Sequence, residues 1–369
     1  MKWQKSETPS LREVRLIARL EGATNPESAE LLDDGETIVF GNCTMTVGLP
    51  AYRAGAPMPV YLQGEAFVSR ARLHQHGAEV QVKRLVDGLT SALGIDILRR
   101  ATSTFPAGTA FIATGGRPIT KKGASELISD PAMIRQQALA FDPFTGERRG
   151  AIPLWAGSPI AEKFNVLDQP NGLAIDRDGD VYVGDIPNSN PDADGAPPGP
   201  SAIYRIPHAA LDALNAHDAH GAQSVERILV PGFVNGATAA ADGAIFIVSC
   251  SRHDPARGGV YRLTREDFAE GRLPEPIVQG LGILDGVGFT RRGTVLASNP
   301  ISGDLHAFTA QGEHMLLRVA GENVVDMPAD FNVVYPAHLN GEPALLAPDI
   351  SVGKAPGEGV IAVVDISGL

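Results

Sequence analysis

The stretch Gln169-Pro-Asn-Gly-Leu-Ala-Ile-Asp-Arg-Asp-Gly-Asp-Val-Tyr-Val-Gly-Asp185 decides the fold. It reads as a short apolar strand, an Asp-Gly turn and a second strand of alternating side chains, and Asp-Gly between such runs is a strong short-range hairpin signal. The same pattern recurs at Asn25 to Asn42 with the turn Asp34-Gly35, at Phe233 to Ser249 with Asp242-Gly243, and at Leu284 to Asn299 with Arg292-Gly293. Weaker copies run from Leu93 to Thr114, turning at Ala107-Gly108, and from Ala329 to Asp349, turning at Asn340-Gly341. Six copies of one unit in one chain are the mark of a repeat architecture.

Each hairpin is followed by further strand-like runs, such as Gly259 to Leu263 and Pro276 to Val278, or Leu305 to Phe308 and His314 to Arg318. Four strands per unit and six units describe an all-β fold, a six-bladed β-propeller with four-stranded antiparallel blades. The expected blades cover about 23–88, 89–158, 168–231, 232–281, 282–322 and 323–369, a single domain over 1–369. The last blade has only three strands of its own, while Val14 to Leu20, within a closing segment 12–20, has no local partner. That orphan strand is expected to complete the last blade and close the ring, removing an edge that an open sheet must otherwise protect.

Long inserts follow the second strand in the first three blades, at 43–62, 115–135 and 186–200. In an up-and-down blade these all lie on one rim, so they read as a lid over one mouth of the tunnel. Ala124 to Ile128, Ala132 to Leu139 and, elsewhere, Leu211 to Ala216 are expected as short helices.

Composition agrees with this reading and removes other classes. The 369 residues include 41 Gly and 28 Pro, both above average usage and suited to many short strands joined by turns. Lys and Arg number 31 against 43 Asp and Glu, a net charge of −12, which argues against a nucleic-acid partner. No run approaches the roughly 18 apolar residues of a membrane helix, and Met1 to Arg15 has no apolar stretch of the kind a secretory signal needs. A cytoplasmic protein without a membrane partner is therefore expected, and nothing in the sequence sets an oligomeric state. Cys43 and Cys250 lack CxxC spacing and read as buried thiols.

Aligning the six turns places one residue per blade at the start of the innermost strand, where side chains converge on the tunnel: Glu27, Leu93, Asn171, Asn235, Asp285 and Ala329. Asn-Gly and Asp-Gly are turn formers in their own right, so singly each residue also reads as part of a turn. Glu27 is no turn former, yet it shares the register. Two carboxylates and two amide carbonyls around one axis make an all-oxygen set of charge −2, suited to calcium, which accepts six to eight such donors. Magnesium and manganese remain open alternatives because hard oxygen donors serve them too, and zinc a weaker one because no His or Cys stands in the set.

The hairpins at Pro26-Glu-Ser28, Gln169 to Asp176, Val234-Asn-Gly236 and Leu284 to Phe289 resemble those of the senescence-marker-protein/gluconolactonase/luciferin-regenerating-enzyme family of calcium-dependent six-bladed propellers. Paraoxonase, diisopropylfluorophosphatase and the strictosidine-synthase-like proteins are more distant relatives. The resemblance implies a catalytic calcium held by Glu27, Asn171, Asn235 and Asp285, with Asp285 doubling as base or nucleophile. The three long inserts depart from the shorter family members and leave the substrate class open.

The leading expectation is metal-assisted hydrolysis of a small-molecule lactone or related ester, with the cation polarising the carbonyl and Asp285 activating water. His253, just past the second strand of blade four, is a candidate proton shuttle. Asp185 and Asn299, at the ends of second strands, read either as groups that orient ligands or substrate or as strand caps. His74 and His76 fall on the opposite rim and are excluded. Phosphoester or fluorophosphate hydrolysis on the same cation, and a non-catalytic binding propeller with a structural calcium, are the competing readings, since one fold serves many functions.

Overall fold

In blade three, Pro170–Ile175 and Val181–Asp185 pair antiparallel. They are joined by a turn in which Gly179 takes φ +88° and the Asp176 carboxylate accepts from the amides of Asp178 (2.9 Å) and Asp180 (3.0 Å). Ser201–Ile206 and Glu226–Val230 complete the sheet in the order of the chain. The computed structural model repeats this unit: six sheets of successive antiparallel strands form the six-bladed propeller. It describes residues 3, 8–44, 64–73, 82–116, 135–164, 169–186, 201–250, 258–321, 325–350 and 354–369. Most of the three expected rim inserts, with His74, His76 and His253, lies outside the described residues.

Ring closure uses two strands where the sequence suggested one. Leu16–Ala23 pairs antiparallel with Gly359–Asp365 and forms the outermost strand of blade six, with Leu20 opposite Ile361. The preceding Ser10–Val14 turns aside at Arg15 and pairs parallel with His314–Val319, adding a fifth strand to blade five. Arg15 holds the step in place: its carbonyl accepts from the Asp365 amide (2.8 Å), and its guanidinium pairs with the Asp365 carboxylate (2.9 Å). Trp3 adds a further clasp, its amide donating to Ile277 O (2.6 Å) and its indole to Thr309 O (2.9 Å). The N-terminal segment thus ties blades four, five and six together.

Apolar side chains from facing sheets fill the wedges between neighbouring blades. Tyr182, Ile203, Val234, Ile247 and Phe268 pack between blades three and four, and each fully buried side chain of this kind contributes about 1.5–3 kcal/mol. Two local expectations meet different outcomes. Leu211–Asn215 is helical, but Gln137–Phe141, which overlaps the end of the helix expected over Ala132 to Leu139, is the third strand of blade two. Alternate residues there face two neighbouring sheets, so a continuous apolar run serves a strand as well as a helix.

A candidate metal centre on the propeller axis

The inner strands carry an irregularity at the residues that matter. In blades one, three and four the register of the first hairpin shifts between Pro26 and Ala29, between Pro170 and Leu173, and between Val234 and Ala237. Each shift brackets one axis residue and its successor: Glu27-Ser28, Asn171-Gly172 and Asn235-Gly236. A bulge re-aims a side chain out of the alternation of its strand. In blade five the regular pairing begins only at Val287, leaving Asp285 and Gly286 bonded instead to Ser298.

The glycines after the axis residues do not serve turns, since none has a positive φ. They serve close approach. A Cβ on Gly94 would lie 2.5 Å from Asn171 O, one on Gly172 2.1 Å from Asn235 O, one on Gly236 2.4 Å from Asp285 O, and one on Gly286 2.7 Å from Ala329 O. Each blade thus presses the backbone of its axis residue onto the glycine of the blade before it, and any side chain there would push the ring apart. Asn-Gly and Asp-Gly are required here as pairs: a donor for the tunnel, then a gap for the neighbour.

Glu27, Asn171, Asn235 and Asp285 are all buried, at 2%, 2%, 7% and 4% exposure. Three of them carry a buried oxygen with no hydrogen-bond partner among the described residues: Glu27 Oε2, Asn171 Oδ1 and Asp285 Oδ1. Leaving such an atom unsatisfied costs about 1–3 kcal/mol. The Asn171 side-chain amide donates to Asn235 Oδ1 (2.5 Å), and Asn235 donates to Leu284 O (3.3 Å), so the two amides are locked to each other and to blade five. Leu93 and Ala329 occupy the equivalent register in blades two and six and offer no donor side chain.

Blade six contributes a carboxylate one residue later. Asp330 is 4% exposed, and its Oδ1 lies 2.7 Å from where a Cβ of Gly236 would stand. It occupies the position that is glycine in blades two to five, and that exception is the sequence signal that could have found it. Burial, then the negative charges of Asp285 and Asp330, push the Glu27 carboxyl well above the usual carboxylate range. Burial alone pushes Asp285 up to about 7, and burial followed by the Asp285 charge pushes Asp330 well up.

Among the described residues no three His, Cys, Asp or Glu side chains form a metal-holding group. The axis set instead combines two carboxylates with amide oxygens. Its orphaned oxygens, all hard donors on separate blades, fit a hard divalent cation such as calcium. Cys43 and Cys250 are buried beside the set, bonded to Ala92 O (3.2 Å) and Leu284 O (2.9 Å). Burial first, and nearby carboxylates next, raise both thiols well above their ordinary range, as expected for unreactive side chains.

Asp185 and Asn299 are engaged with backbone. Asp185 Oδ1 accepts from the Gln169 amide (3.0 Å), two residues before Asn171. Asn299 donates to Leu281 O (2.8 Å) and accepts from the amides of Ile301 (3.0 Å) and Ser302 (3.2 Å). Asn42 and Asp349 repeat the device in blades one and six, accepting from Thr24 N (2.8 Å) and Met327 N (3.3 Å). These groups fix the segments that lead into the inner strands.

Fold and site together define a six-bladed propeller with an oxygen-rich cluster on its axis. Neither a protein-family profile nor a curated protein matches the chain. Solved structures match it at low identity. A luciferin-regenerating enzyme is similar at 10% identity, covering 94% of this chain and 92% of its own, with a TM-score of 0.55. A gluconolactonase from Xanthomonas campestris is similar at 14% identity, covering 93% of this chain and 87% of its own, with a TM-score of 0.53. The PQQ-bound aldose sugar dehydrogenase of Streptomyces coelicolor is similar at 12% identity, covering 98% and 99%, with a TM-score of 0.53. The first two are the enzymes that the hairpin motifs resemble. The third shows that the likeness concerns the scaffold, so the activity has to be argued from the site.

Proposed function

We propose that the protein is a divalent-cation-dependent hydrolase, with calcium the best-suited ion, acting on a lactone or related ester. The observation that carries this reading is the set of three orphaned buried oxygens on Glu27, Asn171 and Asp285. Three unsatisfied donors from three blades, with two like-charged carboxyls among them, form an unfavourable arrangement that one cation relieves. Glu27 and Asp285 would hold the ion by charge, and Asn171 and Asn235 by their amide oxygens. When bound, it supplies Lewis acidity toward a carbonyl oxygen and toward the oxyanion that forms there.

The remaining work falls to the chain's own groups. Asp285 is the base: its carboxylate takes the proton of the attacking water. Asp330 lies beside it as a second buried carboxyl able to hold that proton. The Asn171–Asn235 hydrogen bond and the Asn235 contact with Leu284 O keep the amides from rotating, so the donor set stays pre-arranged. Asp185 and Asn299 act at one remove, through the backbone before Asn171 and the Leu281 carbonyl.

The test is turnover of a panel of lactones, carboxylic esters and phosphotriesters before and after verified metal removal. Lactone or ester turnover that disappears with EDTA and returns with calcium supports the reading. Full activity after metal removal overturns the cation's role, and turnover confined to phosphotriesters overturns the substrate class.

A further inference from the structure

Away from the axis, a cleft of ≈ 520 Å³ opens between blades one and two, within the size range of small-molecule sites. Its charge is opposite to that of the protein as a whole. The chain carries −12, yet the described residues lining this cleft include Arg135 and Arg148 and no Asp or Glu. Trp155 forms part of the wall, with Gln137 and Thr114 beside it.

The wall is built rather than incidental. Gly115 takes φ +97°, and a Cβ there would lie 2.3 Å from Arg135 O, so the backbone of Arg135 is pressed onto a position that admits no side chain. The Arg135 guanidinium lies over the Trp155 ring, 5.3 Å from its centroid, and no carboxylate among the described residues pairs with it. Arg148 reaches across from blade two to donate one N–H to Asp87 O (2.7 Å) in blade one, and no carboxylate among the described residues pairs with it. On the fourth strand, Asn215 Oδ1 accepts from the Ala151 amide (2.9 Å) and stands 2.2 Å from where a Cβ of Gly150 would be, so this edge is also held.

We propose that the cleft binds a small ring-bearing carboxylate, its ring against Trp155 and its carboxylate on the arginines. Two guanidiniums, with no acid among the described lining residues, select an anion, and guanidinium matches carboxylate by paired hydrogen bonds. Trp155 lines the same cleft with the Arg135 guanidinium and the His217 ring (centroids 5.5 Å apart) packed against it, and the aromatic surface it leaves in the cleft favours a ring-bearing ligand over an inorganic ion. This site is independent of the axis and of the hydrolase reading.

Tryptophan fluorescence provides the readout, since Trp155 lines the cleft and Trp3, the other of the 2 tryptophans, is buried at 8% exposure. Benzoate and glucuronate are titrated into the calcium-supplemented protein alongside benzamide, glucuronamide and inorganic phosphate. Saturable quenching by one or both carboxylates is expected, with the matching amide and phosphate at least about tenfold weaker, as loss of a charge-assisted hydrogen bond implies. The two carboxylates separate an aromatic ligand from a sugar-like one. Arg135→Gln and Arg148→Gln should each weaken binding about tenfold on the same ground, without changing calcium affinity. Absence of saturable carboxylate binding below roughly 10 mM, equal binding of an amide or phosphate, or unchanged binding in both variants overturns the proposal. Both arginines are exposed, so the variants are expected to fold; where one does not, the carboxylate–amide comparison in the unmodified protein decides.

Discussion

At the turn end of blade three, Asp176 and Asp180 are as buried as the axis carboxylates, 2% and 5% exposed against 2% for Glu27 and 4% for Asp285. Their surroundings differ completely. Asp176 accepts from two backbone amides, the Tyr182 hydroxyl (3.2 Å) and Arg265 (3.0 Å). Asp180 takes two N–H groups of Arg205 (2.9 and 2.7 Å) and the His208 amide (2.8 Å). On the axis the charges acting on Glu27 are the negative ones of Asp285 and Asp330. Arginine neutralises the buried acids of this turn, and among the described residues no arginine pairs with Glu27, Asp285 or Asp330. The turn carboxylates are satisfied by the fold, whereas Glu27 Oε2 and Asp285 Oδ1 have no hydrogen-bond partner among the described residues.

The comparison can be broken in several places. Deleting residues 1–22 removes both closing strands, and with them the ring that brings six blades to one axis; a loss of more than about 4 kcal/mol is expected, read as a collapsed thermal melt. Asp285→Asn in the folded protein should lower kcat/KM for the best lactone about a thousandfold, in line with loss of a central electrostatic group, measured by steady-state kinetics in excess calcium. Arg205→Met removes two of the N–H groups on Asp180, leaving the His208 amide and Arg265 at 3.5 Å, and should cost about 2 kcal/mol in a urea melt, as loss of hydrogen bonds to a charged group implies. The same type of measurement on metal-free Asp285→Asn at pH 8 should show the opposite sign, a gain of about 2 kcal/mol, because a repelling charge has been removed.

The smallest effect is a pH trend. A carboxyl whose folded pKa is raised contributes stability at low pH that is lost as pH rises through the folded value. With Asp285 at about 7 and Glu27 and Asp330 also raised, metal-free protein should lose stability between about pH 4 and about pH 7. Calcium binds the ionised forms, so its addition should raise Tm more at pH 8 than at pH 5. A calcium effect equal at both pH values would mean that the axis acids are not the ligands.

Much of this was readable in the residues. Turns such as Asp178-Gly179 and Asp242-Gly243 announce hairpins through local chemistry, and their repetition announces the propeller. The axis register was legible for the same reason, since Glu27, Asn171, Asn235 and Asp285 fall at one offset from those turns. Other features depend on contacts between distant segments. The parallel pairing of Ser10–Val14 with blade five has no local signal, because a parallel neighbour leaves no turn between the strands. Asp330 was hidden because its register differs by one residue from that of the other donors. The reason glycine follows the axis residues was also hidden: the residue type suggests a turn, and only the packed ring shows the neighbouring carbonyl in its place.

Calcium calorimetry on EDTA-treated protein tests the central claim most directly. The account predicts one site per chain in the unmodified protein, with binding lost or weakened at least about a hundredfold in Glu27→Gln and Asp285→Asn, each confirmed folded by circular dichroism. Absence of binding by calcium or any other divalent ion, or a titration unchanged by both substitutions, would contradict it.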